Sequence, residues 1–146
     1  MANLTFRSIL STGSRALGEG AVDGADRFDL FFDNIDLSGF ADIPALLLLA
    51  TRNVDEENNF ITINAPGDVT NQSLEAAQDE DYFVSRILAN PSDTWILQIH
   101  RIPSGILNAA NNILGIHCRN ANGETSENRD NFSVARIFLV YFGAEN

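Results

Sequence analysis

Apolar residues recur along this chain in short runs, many of them alternating with polar ones and separated by Gly, Pro, Asn and Asp clusters. Runs of that length with a period near two are strands, and their spacing is that of an all-β sandwich or barrel. The pattern predicts eight strands, near Leu4 to Leu10, Phe28 to Leu37, Pro44 to Asn53, Phe60 to Asn64, Tyr82 to Leu88, Trp95 to Ile102, Ile113 to Arg119 and Phe132 to Phe142. No long helical stripe interrupts them. The segment SLEAAQDED, Ser73 to Asp81, opens on an N-capping residue followed by good helix formers, which predicts a helical turn or two in a connection.

Two strands predict their surroundings. ALLLLA, Ala45 to Ala50, is apolar on both parities, as expected of a central strand covered on both faces. Leu114, Ile116 and Cys118 alternate with Gly115, His117 and Arg119, which predicts one buried and one wet face. Turns are expected at Gly18 to Gly24, Asp55 to Asn59, Pro66 to Asp68, Asn90 to Asp93, Asn108 to Asn112 and Asn120 to Asn131, where residues that tolerate left-handed backbone gather. There is no internal repeat, low-complexity tract or composition shift, so residues 1–146 read as a single β-sandwich domain, long enough to bury roughly 70% of its unfolded surface.

Charge narrows the partners. Nine basic residues, all Arg, stand against twenty acidic ones, for a net charge of -11. Such a surface repels phosphate backbones and anionic lipid, which argues against nucleic acid and membrane partners. The single cysteine, Cys118, excludes an intramolecular disulfide and reads as a small buried hydrophobe. No stretch has the make-up of a signal peptide or the roughly 20 apolar residues of a membrane span, so a soluble protein is expected. The sequons at Asn3, Asn71 and Asn131 carry little meaning in so Asn-rich a chain.

The segment PSGILNAANNILGIHCRNANG, Pro103 to Gly123, followed by DNFSVARIFLVYF, Asp130 to Phe142, resembles the galactose-binding-domain-like jelly-roll superfamily. PALLLLATRNV and NFITINAPGDVTN fit the same order, so the likeness runs from about Phe28 to Phe142. It departs where glycine is usual, with Ala109 and Ala110 before Asn111 and Ala65 after Asn64. It implies an eight-stranded antiparallel β-sandwich of the jelly-roll type and, as for many members, noncatalytic binding of carbohydrate; it carries over no ligand residue.

Candidate chemistry is sparse. The motifs of serine hydrolases, zinc proteases, phosphate loops and paired cysteines are absent, and Gly18, Gly20 and Gly24 form a turn, not a dinucleotide fingerprint. A noncatalytic reading is therefore favoured. Arg52 and Asn53 end one predicted strand and Arg119 and Asn120 another; they could meet at one sandwich edge as a ligand site, or be surface arginines paired with surplus carboxylates. Trp95, the single tryptophan, could offer a sugar platform or be core. His117, beside Arg119, completes the ligand-binding candidates. Asn120, Asn122, Glu124 and Asp130, in the Asn120 to Asn131 loop with Ser126 and Asn128, offer hard oxygen ligands for calcium, against the reading of a plain hydrophilic hairpin loop. Asp23, Asp26 and Asp29 form a lesser group of that kind.

The expected function is thus a noncatalytic module that recognises a carbohydrate or small polar ligand through edge loops. A second reading is a homo-oligomeric structural or interaction protein, with exposed apolar residues such as those of RIFLVYF covered by a copy of itself. A third, a metal-dependent hydrolase, would need His100, His117 and a carboxylate to converge.

Overall fold

The computed structural model describes residues 2–18, 26–37, 39–67, 72–78, 80–125 and 130–144. Asp23, Asp68, Asn71, Asp79, Ser126, Asn128 and the turn residues 19–24 lie outside them.

All eight predicted strands form, in order: β1 (Ala2–Leu17), β2 (Arg27–Phe32), β3 (Ala45–Arg52), β4 (Phe60–Ile63), β5 (Phe83–Arg86), β6 (Ile96–Ile102), β7 (Asn112–His117) and β8 (Phe132–Ala144). They make two four-stranded antiparallel sheets, ordered β1-β8-β3-β6 and β2-β7-β4-β5. Each strand of the first half is hydrogen-bonded to its counterpart from the second: β1 to β8, β2 to β7, β3 to β6 and β4 to β5. The one α-helix among the described residues, α1 (Leu74–Gln78), lies in the predicted place and starts as expected, with Ser73 Oγ accepting the Ala76 N–H.

Alternation places the core. Leu47 and Leu49 of β3 and Ile137 and Leu139 of β8 face Ile61 and Ile63 of β4 and Leu114 and Ile116 of β7, all inaccessible to solvent. Cys118 belongs to the same cluster, as its surroundings predict. β1 is longer than its apolar pattern, because bulges between Ser8 and Leu10 and between Leu10 and Ser14 let it follow β8 to Leu17 despite the polar run STGSR. β2 is shorter: after Phe32 the chain leaves the sheet, with Asn34 at φ 61° and Ile35 donating to the Ala109 carbonyl.

Two expectations fail, in opposite directions. The second face of β7 is dry: His117 is fully buried, because α1 and the chain leading to β5 cover the outside of this sheet with a small cluster of Phe60, Leu74 and Ala77, flanked by Tyr82 and Val84. The second face of β3 is only partly covered: Leu46, expected to be covered, is 40% exposed and Leu48 half-buried, and no described element crosses the outside of the β1-β8-β3-β6 sheet.

Candidate functional site

The uncovered face is built row by row from the pairing register. Phe6, Val140, Leu46 and Arg101 lie side by side across the four strands, then Ser8, Phe138, Leu48 and Ile99, then Ser14, Ala135, Ala50 and Leu97. Phe6 is 67% exposed, Ile99 60% and Leu97 58%, with Leu4 and Phe142 also exposed beyond the first row. Single exposed apolar residues are ordinary, but a contiguous sheet face of them is not. The four strands of this sheet contain no Asp or Glu, whereas they hold Arg7, Arg15, Arg52, Arg101 and Arg136. In a chain of net charge -11, this sheet is the acid-free side.

At one end of the face, a concavity of about 550 Å³ is lined by Gly13, Ser14, Ala50, Arg52, Trp95, Ala135 and Arg136. Arg52 ends β3 and Trp95 immediately precedes β6, its neighbour, so the guanidinium lies over the indole ring, 4.5 Å from its centroid. Arg52 Nε is buried and has no hydrogen-bond partner. Trp95 keeps 36% exposure and is not part of the core cluster. Asn53, at φ 60°, donates to Asp93 Oδ1 at 3.4 Å and turns the chain out of the sheet. Across the concavity, Arg136 has φ 50° where β8 bulges against β3, and donates to the Ser11 carbonyl. Three of the five ligand-binding candidates, Arg52, Asn53 and Trp95, therefore meet; Arg136 was missed, because only the bulge brings it there.

His117 and Arg119 stand at the same end of the sandwich but on the outside of the other sheet. His117 stacks on Phe60 at 4.3 Å between centroids, and its Nε2 is 2.9 Å from Thr62 Oγ1. Arg119 is fully buried, lies over the Phe60 ring at 5.0 Å from its centroid, and donates to the carbonyls of Gln72, Asp26 and Cys118. Its Nη2 faces His117 Nδ1 at 3.5 Å. A guanidinium only donates, so Nδ1 is the acceptor and Nε2 carries the proton that Thr62 accepts. Burial foremost, then the charges of Arg119 and Arg27, push the His117 pKa down to about 2. Arg119 thus ties the second sheet to the chain leading into α1 at Gln72, while His117 joins β7 to β4. Gly115 leaves room for the His117–Thr62 pair: a Cβ there would come within 2.6 Å of Thr62 Oγ1 and 2.8 Å of His117 Nε2.

The loop after β7 divides in the same way. Asn120 Oδ1 accepts from the Asn122 and Glu124 amides, making the turn itself. Asp130 is buried and its Oδ2 accepts from the amides of Asp55 and Glu56 and from Asn59 Nδ2, tying this loop to the β3–β4 connection. Burial raises the Asp130 pKa, against the lowering effect of those three donors. Asn122 and Glu124 are exposed. Among the described residues, no three His, Cys, Asp or Glu side chains gather as a ligand set.

His100 and His117 do not converge. His100 points inward from β6, in the first sheet, where Nδ1 is 2.6 Å from Ser85 Oγ on β5 and Nε2 3.2 Å from Gln98 Oε1. Gln98 is locked by the Leu88 backbone, which donates to Oε1 and accepts from Nε2, while Nε2 also reaches Thr51. His100 Nε2 must therefore donate and Nδ1 accept from Ser85, a polar seam closing the side where β6 and β5 are the sheet edges. Burial lowers the His100 pKa. At the opposite end, Asn64, Asn108 and Asn112 bond one another and the Ile106 and Ile113 backbone.

No protein-family model matches the chain, and no curated protein matches it. Among solved structures it is similar to the K1 cleaved adhesin domain of Lys-gingipain from Porphyromonas gingivalis W83, with 12% identity and a TM-score of 0.35, over 98% of this chain and 75% of that one. At that level the likeness carries no argument, and the all-β, two-sheet fold rests on the strand pairings themselves. No described helix is long and apolar enough to cross a membrane.

Proposed function

We propose that this chain is a noncatalytic interaction module that self-associates by packing the outer face of its β1-β8-β3-β6 sheet against the same face of a second copy. One observation carries the reading: ALLLLA has the sequence of a strand buried on both sides, yet on its outer side Leu46 is 40% exposed and Leu48 only half-buried, with Ala50 alone buried. Four strands about 4.8 Å apart and some seven residues long give a face of roughly 450 Å² in projection, and side-chain relief brings its accessible area toward the about 800 Å² per partner of a stable interface. Two chains of charge -11 repel, and this sheet is where they can meet without setting carboxylate against carboxylate. We further propose that the sandwich is a jelly roll: the pairing of β1 with β8, β2 with β7, β3 with β6 and β4 with β5 supports that reading and the resemblance to the galactose-binding-like superfamily.

Sedimentation equilibrium over a dilution series tests this. The wild type should give a dimer mass at micromolar concentration, and the double variant Phe6→Asp, Leu46→Asp a monomer with unchanged circular dichroism. A wild type that stays monomeric at every concentration would sink the proposal.

A further inference from the structure

We infer that the concavity between Arg52, Trp95 and Arg136 binds a carboxylated sugar, a hexuronate in its simplest form. This goes beyond self-association, although the cavity shares Ser14, Ala50 and Ala135 with the third row of the same sheet face. In a chain with more than twice as many acidic as basic residues, neither Arg52 nor Arg136 forms an ion pair among the described residues. Both line a cavity to which no acidic side chain among the described residues contributes. Two arginines lining one cavity, one from β3 and one from the β8 bulge, are the donor set for a carboxylate, which arginine takes with two parallel N–H bonds.

Each cation is held by something other than an anion. Arg52 is fixed over the indole with its buried Nε unused, and Arg136 by its bond to Ser11. Holding a non-glycine residue at φ 50° costs about 1–2 kcal/mol, a strain that recurs where a side chain is aimed at a ligand. The remaining lining sets the body of the ligand. Ala50, Ala135 and Gly13 form a flat apolar floor, the half-exposed indole provides a wall for the apolar side of a ring, and Ser14 provides a hydroxyl. A volume near 550 Å³ is in the range of small-ligand sites and accommodates one or two sugar rings.

Trp95 is the single tryptophan, so the intrinsic fluorescence of the whole chain reports on this cavity. Sodium glucuronate should change that emission saturably, while glucose and sodium acetate at equal concentration and ionic strength should not. Arg52→Gln and Arg136→Gln should each weaken the response about tenfold or more, the worth of a charge-assisted hydrogen bond, without altering circular dichroism. The monomeric Phe6→Asp, Leu46→Asp variant, whose face stays uncovered, should respond at least as strongly as the wild type, so failure of this site is distinguishable from failure of self-association. No saturable change with glucuronate, an equal response to glucose or acetate, or full binding by both glutamine variants would overturn the assignment.

Discussion

Individual residues in this protein do structural work with chemistry that looks functional. His117 is neutral in the folded chain, with a pKa of about 2, and near 6.5 once unfolded. Between those values the unfolded chain binds a proton that the native one does not. Stability is therefore full above about pH 6.5 and falls as pH decreases, by up to about 1.4 kcal/mol per unit from this residue. His100 acts in the same sense through its lowered pKa. Asp130 acts in the opposite sense: its raised pKa makes the native state the better proton binder just above the ordinary carboxylate value. Urea unfolding between pH 7 and pH 4 should show the loss, and His117→Gln should flatten its slope by about one proton; an unchanged slope would mean that His117 is charged in the fold. From the sequence, His117 and Arg119 looked like ligand candidates because they share one parity of a predicted strand that Arg119 and Asn120 end at a sandwich edge. What decides their role is the Phe60 ring beneath them and the segment above, contacts set by tertiary packing rather than spacing.

At the scale of elements, the loops are tied by side chains standing in for backbone partners. Asp130 is the clearest case, since one carboxylate oxygen holds three N–H groups of the β3–β4 connection. Asp130→Ala should lower unfolding free energy by about 3 kcal/mol, the result of leaving buried donors without an acceptor, and thermal or urea denaturation would measure it. With the Asn120 and Asp130 oxygens already accepting protein N–H groups, calcium should not raise the melting temperature; a rise reversed by chelator would establish an ion in the 120–130 loop. Strand existence and order were legible because alternation and turn residues are local. Strand ends were less so: the β1 and β8 bulges that lengthen one strand and swing Arg136 into the concavity depend on register between chain ends, which neither segment encodes alone. Of the asparagines at φ near 60°, Asn111 falls in a predicted turn, Asn53 and Asn64 end predicted strands and Asn34 was expected inside one; all four occupy left-handed positions where glycine would otherwise be expected.

For the whole molecule, the decisive fact is an asymmetry between two sheets. One has its outside covered around Phe60 and His117 by the chain's own α1 segment; the other has an outside crossed by no described element, with exposed apolar residues at Phe6, Leu46, Leu97 and Ile99 and no carboxylate in its four strands. The sequence showed an excess of outward apolar residues in ALLLLA and RIFLVYF but not which strands the chain would leave uncovered. If two copies meet apolar face to apolar face, raising salt from about 50 to 500 mM screens their net repulsion, and association should strengthen. Docking of the arginine-bearing face onto an acidic surface would weaken instead. The most direct measurement is covalent side-chain footprinting read by mass spectrometry at low and high protein concentration. Phe6, Leu97 and Ile99 should lose modification as concentration rises, while Phe31, 73% exposed on β2 of the other sheet, should not. Equal modification of all four at every concentration, or protection of Phe31 alone, would contradict the account.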